Sequence, residues 1–274
     1  MGMRQQGAWT RWESARPRQL TWNNIWKMDG YRISFLLRSV YDVLPSPMNL
    51  KIWGLTEDPS CKLCGKPVNL EHVQSSCSVA LAEGRYTWRH DQVLRETAAS
   101  LDVARKKKRQ QKKGPIFINF VKSCSSAKRI DTGGGILATA DDWELLADLG
   151  TRLKFPEVTS TNLRPDIVLL SRKTKQLAIV ELTVPWETRM EEAHERKLTK
   201  YQQLVWECKD KGWKAWNFPV EIGCRGFASN SLWRALGRLG ISGQNRRTLI
   251  AKAGDQAERA SSWLWRKREE GWKC

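Results

Sequence analysis

The sequence has no apolar run approaching the roughly 18 residues needed to cross a bilayer, so no membrane partner is expected. Residues 1–19 are basic and polar and contain no apolar stretch of the kind that directs secretion. There are seven cysteines, an odd number, and only Cys61, Cys64 and Cys77 cluster. A disulfide framework is therefore a poor fit, and a reducing compartment with a metal site is a better one. Acidic side chains are scarce beside basic ones, 29 against 47 in 274 residues, leaving a net charge of +18. A surplus of that size favours a polyanionic partner. No internal repeat is present. What the chain does have is 41% hydrophobic and 28% charged residues, enough for a packed core and incompatible with a wholly disordered chain.

The basic surplus is uneven. Residues 105–135 hold 10 basic side chains against 1 acidic, and residues 226–274 hold 10 against 4. The tract at 104–114, with Lys106, Lys107, Lys108 and Arg109, reads as a low-complexity basic linker. Its bland reading is a nuclear-import signal or a solvated charge run, its functional reading is phosphate contact, both can hold together, and a nuclear location is expected. Arg246 and Arg247 mark the basic C-terminal helix. The glycines at 133–135 are followed by no Lys-Ser or Lys-Thr, so they read as a joint rather than a phosphate loop. Residues 116–121 have the composition of a strand. Four regions follow: a helical segment over 1–57, a zinc-type module with its following helix over 58–103, a basic linker over 104–135, and an α/β region over 136–274 with a basic helical tail. Periodicity predicts helices over 22–57, 140–153, 187–211, 230–239 and 246–269, and strands over 165–170, 177–183 and 213–222.

Cys61, Cys64, His72 and Cys77 are spaced C-x2-C-x7-H-x4-C. Gly65 and Pro67 follow the first pair closely, so both thiolates sit on a tight turn and face one ion. Three thiolates and an imidazole suit Zn²⁺, and four protein ligands leave no open position, so the site reads as structural. His90, on the presumed helix that follows, reads as a packed or surface histidine rather than a fifth ligand.

A second constellation lies in the predicted hairpin. With a turn of two or four residues, Ser171 faces Gln176 and Asp166 faces Glu181. Two carboxylates then stand about 5 Å apart on one face, where like charges repel. A divalent cation removes that penalty, and hard oxygen donors suit Mg²⁺ or Mn²⁺. The backbone carbonyl of Leu182 is a further candidate ligand. Arg164 is expected opposite Thr183 on the same face. On the following helix, Met190, Ala193, Lys197, Tyr201, Leu204 and Cys208 form one stripe. A lysine within an apolar stripe needs an anionic partner. Lys197 and Tyr201 therefore join the candidate catalytic set, with Lys200 at the margin of the stripe.

These residues resemble the C-terminal portion of site-specific non-LTR retrotransposon proteins, the lineage that carries a restriction-like endonuclease. The resemblance runs through WKMDGYRISFLLRSVYDVLPSPMNL, the Cys-Cys-His-Cys knuckle, GRYTWRHDQVL, DDWELLADLG, LRPDIVLL, ELTVPWE, EAHERKLTKY, PVEIGCRGF and AERASSWLW. It implies a PD-(D/E)xK restriction-endonuclease-like α/β core, preceded by a helical segment and a small CCHC zinc module. Pro165-Asp166 supplies the first motif and Glu181 the second. The usual lysine two positions on is replaced by Thr183, and the resemblance draws the lysine from the next helix, at Lys197. A glutamate on the first helix often assists metal binding in this fold, and Glu144 is the candidate. The implied activity is metal-dependent DNA cleavage of the target-site-nicking type. Structural Zn²⁺, catalytic Mg²⁺ or Mn²⁺, DNA, and element RNA as a possible second partner go with it. The alternative is a nucleic-acid-binding module of the same origin without catalysis. No Asp-Asp pair stands in the aromatic setting of a polymerase palm, so a reverse transcriptase domain is expected in a full-length relative and no polymerase activity is assigned to this chain.

Overall fold

The computed structural model describes residues 12–111, 134–150 and 152–272, with no side chains described for 108–111. The expected strand at 116–121, Gly133, and the side chains of Lys108 and Arg109 lie outside these. The architecture is mixed α/β. A four-stranded sheet has the order β1 (Glu144–Ala147), β2 (Ile167–Ser171), β3 (Gln176–Thr183), β4 (Lys214–Glu221). The first three strands run antiparallel, and β4 runs parallel to β3.

The hairpin register is the expected one, with Ser171 opposite Gln176 and Ile167 opposite Val180. Every residue of β2 and β3 is buried, which is why both strands read as apolar runs rather than clean alternations. A parallel neighbour needs a crossover. Helix α6 (Met190–Asp210) supplies it and buries Met190, Ala193, Tyr201, Leu204, Val205 and Cys208. On this α6 face of the sheet, Val168, Leu170, Leu177 and Ile179 pack with Tyr201, Leu204 and Cys208. The opposite face packs Ile167, Leu169, Ala178, Val180 and Leu182 against α5 (Arg85–Gln111), α7 (Asn230–Leu239) and α8 (Gly243–Arg266). Short helices α1 (Trp22–Trp26), α2 (Gly30–Val40), α3 (Pro47–Ile52) and α4 (Ser78–Ala82) precede α5.

Two sequence expectations are corrected here. The segment 140–153 holds strand β1, not a helix. Its Glu-Leu-Leu-Ala core has good helix propensity, but tertiary pairing overrides propensity. Asp142 ties the segment to the β2–β3 turn by accepting from Ser171 Oγ at 2.6 Å and the Lys173 amide at 2.9 Å. The second correction concerns the basic linker. Its first part, through Gln111, continues α5 as helix. Val93, Leu94, Ala98 and Leu101 of α5 belong to the same core as the sheet, so the helix after the knuckle is structurally part of the α/β body.

Candidate active site and metal centre

The knuckle is built by a turn at Gly65, whose φ of +72° suits glycine. The Cys61 amide donates to the Lys66 carbonyl, and the Gly65 amide donates to Cys61, both at 2.8 Å. Asn69 caps the His72 amide at 2.8 Å. The ligand atoms of Cys61, Cys64, His72 and Cys77 all lie within 4.8 Å of one another. A tetrahedron with Zn–S bonds of about 2.3 Å has edges near 3.8 Å, so the four residues form a zinc-type site. The Lys66 amide beside the Cys64 thiol lowers the thiol's pKa, outweighing its slight burial.

The hairpin acids meet at the open end of the β2–β3 pair. There each carboxylate takes the other strand's ladder amide. The Asp166 amide donates to Glu181 Oε2 at 3.0 Å, and the Leu182 amide donates to Asp166 Oδ2 at 2.8 Å. Glu181 is 1% exposed and Asp166 9%. Burial, then repulsion from Asp166, raises the Glu181 pKa, against the opposing pull of Lys197. From α6, Lys197 Nζ pairs with Glu181 Oε1, and Tyr201 donates to the same oxygen at 3.1 Å. Burial and the neighbouring Glu181 and Asp166 charges hold the Tyr201 phenol far above its ordinary pKa. It is therefore a fixed donor, and it also lies 2.8 Å from the Arg164 carbonyl.

His90 is the residue the sequence reading missed. Its Nε2 lies 3.3 Å from Asp166 Oδ2 and 3.2 Å from the Leu182 carbonyl, and its Nδ1 lies 3.1 Å from Asp91. Both ring nitrogens face acceptors, which requires both to carry protons. Burial pulls the His90 pKa down, but the hydrogen bonds and charges of Asp166 and Asp91 outweigh it and raise the pKa to about 10. Two cations, His90 and Lys197, thus stand against two carboxylates. Beyond its neighbour Asp91, the partners of His90 at the acid cluster lie 76 and 92 positions away, so no local sequence signal points to them.

Other expectations fare differently. Glu144 is on β1, exposed, with Arg172 at 3.9 Å. It is a strand residue outside the acid cluster, because the helix meant to present it does not exist. The acid this segment brings nearer is Asp148, whose charge acts on Tyr201. Arg164 does not face Thr183. It binds Asp148 through bonds of 2.9 and 2.8 Å, which places it at the rim beside the acids. Lys200 lies over the Tyr201 ring, 4.8 Å from its centroid. Lys106 is exposed and pairs with Asp102 at 2.6 Å, and Lys107 is exposed. Arg246 stacks on Trp233 at 3.6 Å, while Arg247 is exposed at the start of α8.

No protein-family model and no curated protein matches this chain. Among the described residues, no helix is long and apolar enough to cross a membrane.

Proposed function

We propose that the chain is a metal-dependent DNA endonuclease with a PD-(D/E)xK-type core of the retrotransposon lineage it resembles. The observation that carries this reading is the pair of buried, hydrogen-bonded carboxylates at a strand end, joined by a lysine from the adjacent helix. Two like charges held at 1% and 9% exposure beside a lysine whose side chain is 19% exposed are costly to hold. Such arrangements concentrate at functional sites.

Asp166, Glu181 and the Leu182 carbonyl fit a divalent ion. They are hard oxygen donors, and Asp166 Oδ2 and the Leu182 carbonyl both converge on His90 Nε2. Asp166 Oδ1 keeps no hydrogen bond among the described residues. When bound, the ion lowers the pKa of its water and neutralises charge on the scissile phosphate. The protein supplies the rest. Tyr201 fixes the Glu181 carboxylate, Lys197 offers its ammonium to water or phosphate, and His90 offsets the charge of Asp166. The two oxygens that would hold the ion, Asp166 Oδ2 and the Leu182 carbonyl, are those His90 Nε2 faces here. Exposed Lys107, Arg247 and the rim residue Arg164 are positioned for phosphate contacts, which give affinity without sequence choice. A nuclear location and DNA as partner follow from this reading, with the knuckle as structural support.

The test is nicking of supercoiled plasmid with and without Mg²⁺. The wild type nicks only with the ion, and Asp166→Ala abolishes nicking without unfolding the chain. Tight DNA binding by a wild type that never nicks points instead to the non-catalytic binding module.

A further inference from the structure

A second buried acid lies one strand away from the proposed centre. Glu221 closes β4 beside Thr183 of β3 and is 2% exposed. Alternation places Glu221, Thr183, Glu181 and Asp166 on the same face of the sheet, the face covered by α6. Both Glu221 oxygens are engaged. Oε1 is 3.0 Å from His194 Nδ1, and Oε2 accepts from Ser231, whose hydroxyl lies 2.6 Å from Ser229 Oγ. His194 sits on α6 three residues before Lys197, about 4.5 Å along the helix axis. Its Nε2 makes no hydrogen bond among the described residues, and its side chain is 34% exposed. Between the two acids, the buried Thr183 Oγ1 has no partner among the described residues. A buried hydroxyl without a partner is rare and calls for a ligand atom or water beside it.

This arrangement is that of an oriented acid–base group. Glu221 fixes the proton on Nδ1 and the ring angle, and Ser231 holds Glu221. Nε2 is left without a hydrogen bond among the described residues, on a side chain one helical turn from Lys197, which pairs with Glu181. We propose that His194 is the general acid of the proposed phosphodiester cleavage, donating its Nε2 proton to the departing 3′-oxygen. The inference rests on the nuclease reading above and adds a residue to it. In the step, a water oxygen bonds to phosphorus, and the P–O3′ bond breaks with its electron pair going to O3′. The Nε2 proton passes to O3′ to give a 3′-hydroxyl, the water loses a proton to solvent, and neutral His194 regains one from solvent. The groups facing His194 suit the role. The hydrogen bond to Glu221 of β4 raises its pKa most, with help from Glu195 on its own helix, while burial and Arg234 of α7 pull it down, and the net direction is up. That direction favours the protonated form the step uses.

The experiment uses the full chain with Mg²⁺ and two duplexes spanning a mapped nick position. One is ordinary, and the other has sulfur in place of the bridging 3′-oxygen. A thiolate leaves without protonation, so it needs no general acid. His194→Gln keeps a donor toward Glu221 and is expected to slow cleavage of the ordinary duplex by about 10²-fold or more. It should cleave the sulfur duplex within a few-fold of wild type, and its alkaline rate limb should vanish. Equal slowing on both duplexes by a folded His194→Gln overturns the inference, and so does no slowing on the ordinary one. A wild type that cleaves neither duplex overturns the nuclease reading itself, and the inference falls with it. Glu221→Gln, which disturbs only a positioning residue, should give a smaller loss with the same rescue.

Discussion

The protein holds two buried acid–base clusters of similar chemistry, and they differ in how they are closed. Around Glu187, both carboxylate oxygens are taken and the ion pair is sealed, with side chains 4% and 0% exposed. The Arg225 amide and Nε reach the two carboxylate oxygens at 2.8 and 2.7 Å, and Nη1 reaches the Ser39 carbonyl. Trp12 and Trp186 flank the guanidinium at 4.6 and 3.9 Å. A Cβ on Gly223 would stand 2.4 Å from Glu187 Oε1, so only glycine leaves room for the carboxylate. Around Asp166 and Glu181 the charges are equally paired, but the cluster is open. Lys197 and His90 keep 19% and 23% of their side chains exposed, and Asp166 Oδ1 is uncommitted. A closed cluster with one acid and one base fixes structure. An open one with two adjacent acids retains a repulsion that a substrate or ion can relieve. Helix α5 runs near both, since the charge of Glu187 acts on Arg89 while His90 reaches Asp166.

Removing the common anchor should have the largest effect. The Tyr86 hydroxyl of α5 donates to the knuckle's His72 and Val73 carbonyls and accepts from the Cys77 amide, all at 3.0–3.1 Å. Cys64→Ser is expected to abolish binding of one zinc per chain and to shift the whole chain to a single, lower-temperature melt. Calorimetry with elemental analysis would check this, and an unchanged melt in a zinc-free variant would detach the knuckle from the body. Next is Glu187→Ala, which leaves the buried Arg225 charge uncompensated. It should cost about 3–5 kcal/mol in urea titrations. A cost under about 1 kcal/mol would show that the closed cluster is not structural.

The open cluster should respond in activity instead. Lys197→Ala is expected to lower nicking by about 10²–10³-fold with little change in stability or DNA binding. Lys200→Ala, whose ammonium lies over the Tyr201 ring, should lose far less. Arg164→Ala is the control for a rim cation bound to Asp148. An inactive but folded Arg164→Ala beside an active Lys197→Ala would transfer the role.

His90 gives a smaller, pH-dependent effect. Its pKa rises from the ordinary value of about 6.5 to about 10 in the fold. A raised pKa means the folded state holds the proton more tightly. The stabilisation is therefore complete below about pH 6.5 and drains away as pH climbs toward 10. The stability gap between wild type and His90→Gln, in zinc-replete, magnesium-free buffer, should narrow across that window. A gap that is constant from pH 6 to 10 would remove the charge from His90.

The parts legible in the sequence were those set by local periodicity. The hairpin register follows from two apolar runs and a short turn, and the α6 stripe placed Lys197 and Tyr201 at Glu181. The knuckle followed from ligand spacing. The rest depended on non-local contacts. β1 has helix-forming residues but pairs with β2, which took Glu144 out of the site. His90 and Glu221 are single residues whose meaning comes from partners on other elements. Arg164 was placed opposite Thr183 by extending the register, but the ladder stops at Ile167 and Val180, and the arginine turns to Asp148.

The most direct measurement sets the two clusters side by side: plasmid nicking and melting temperature for wild type, Asp166→Asn and Glu187→Gln. Asp166→Asn is expected to be folded and inactive, and Glu187→Gln to be destabilised and to nick in proportion to its folded fraction. An Asp166→Asn chain that nicks at the wild-type rate would contradict this.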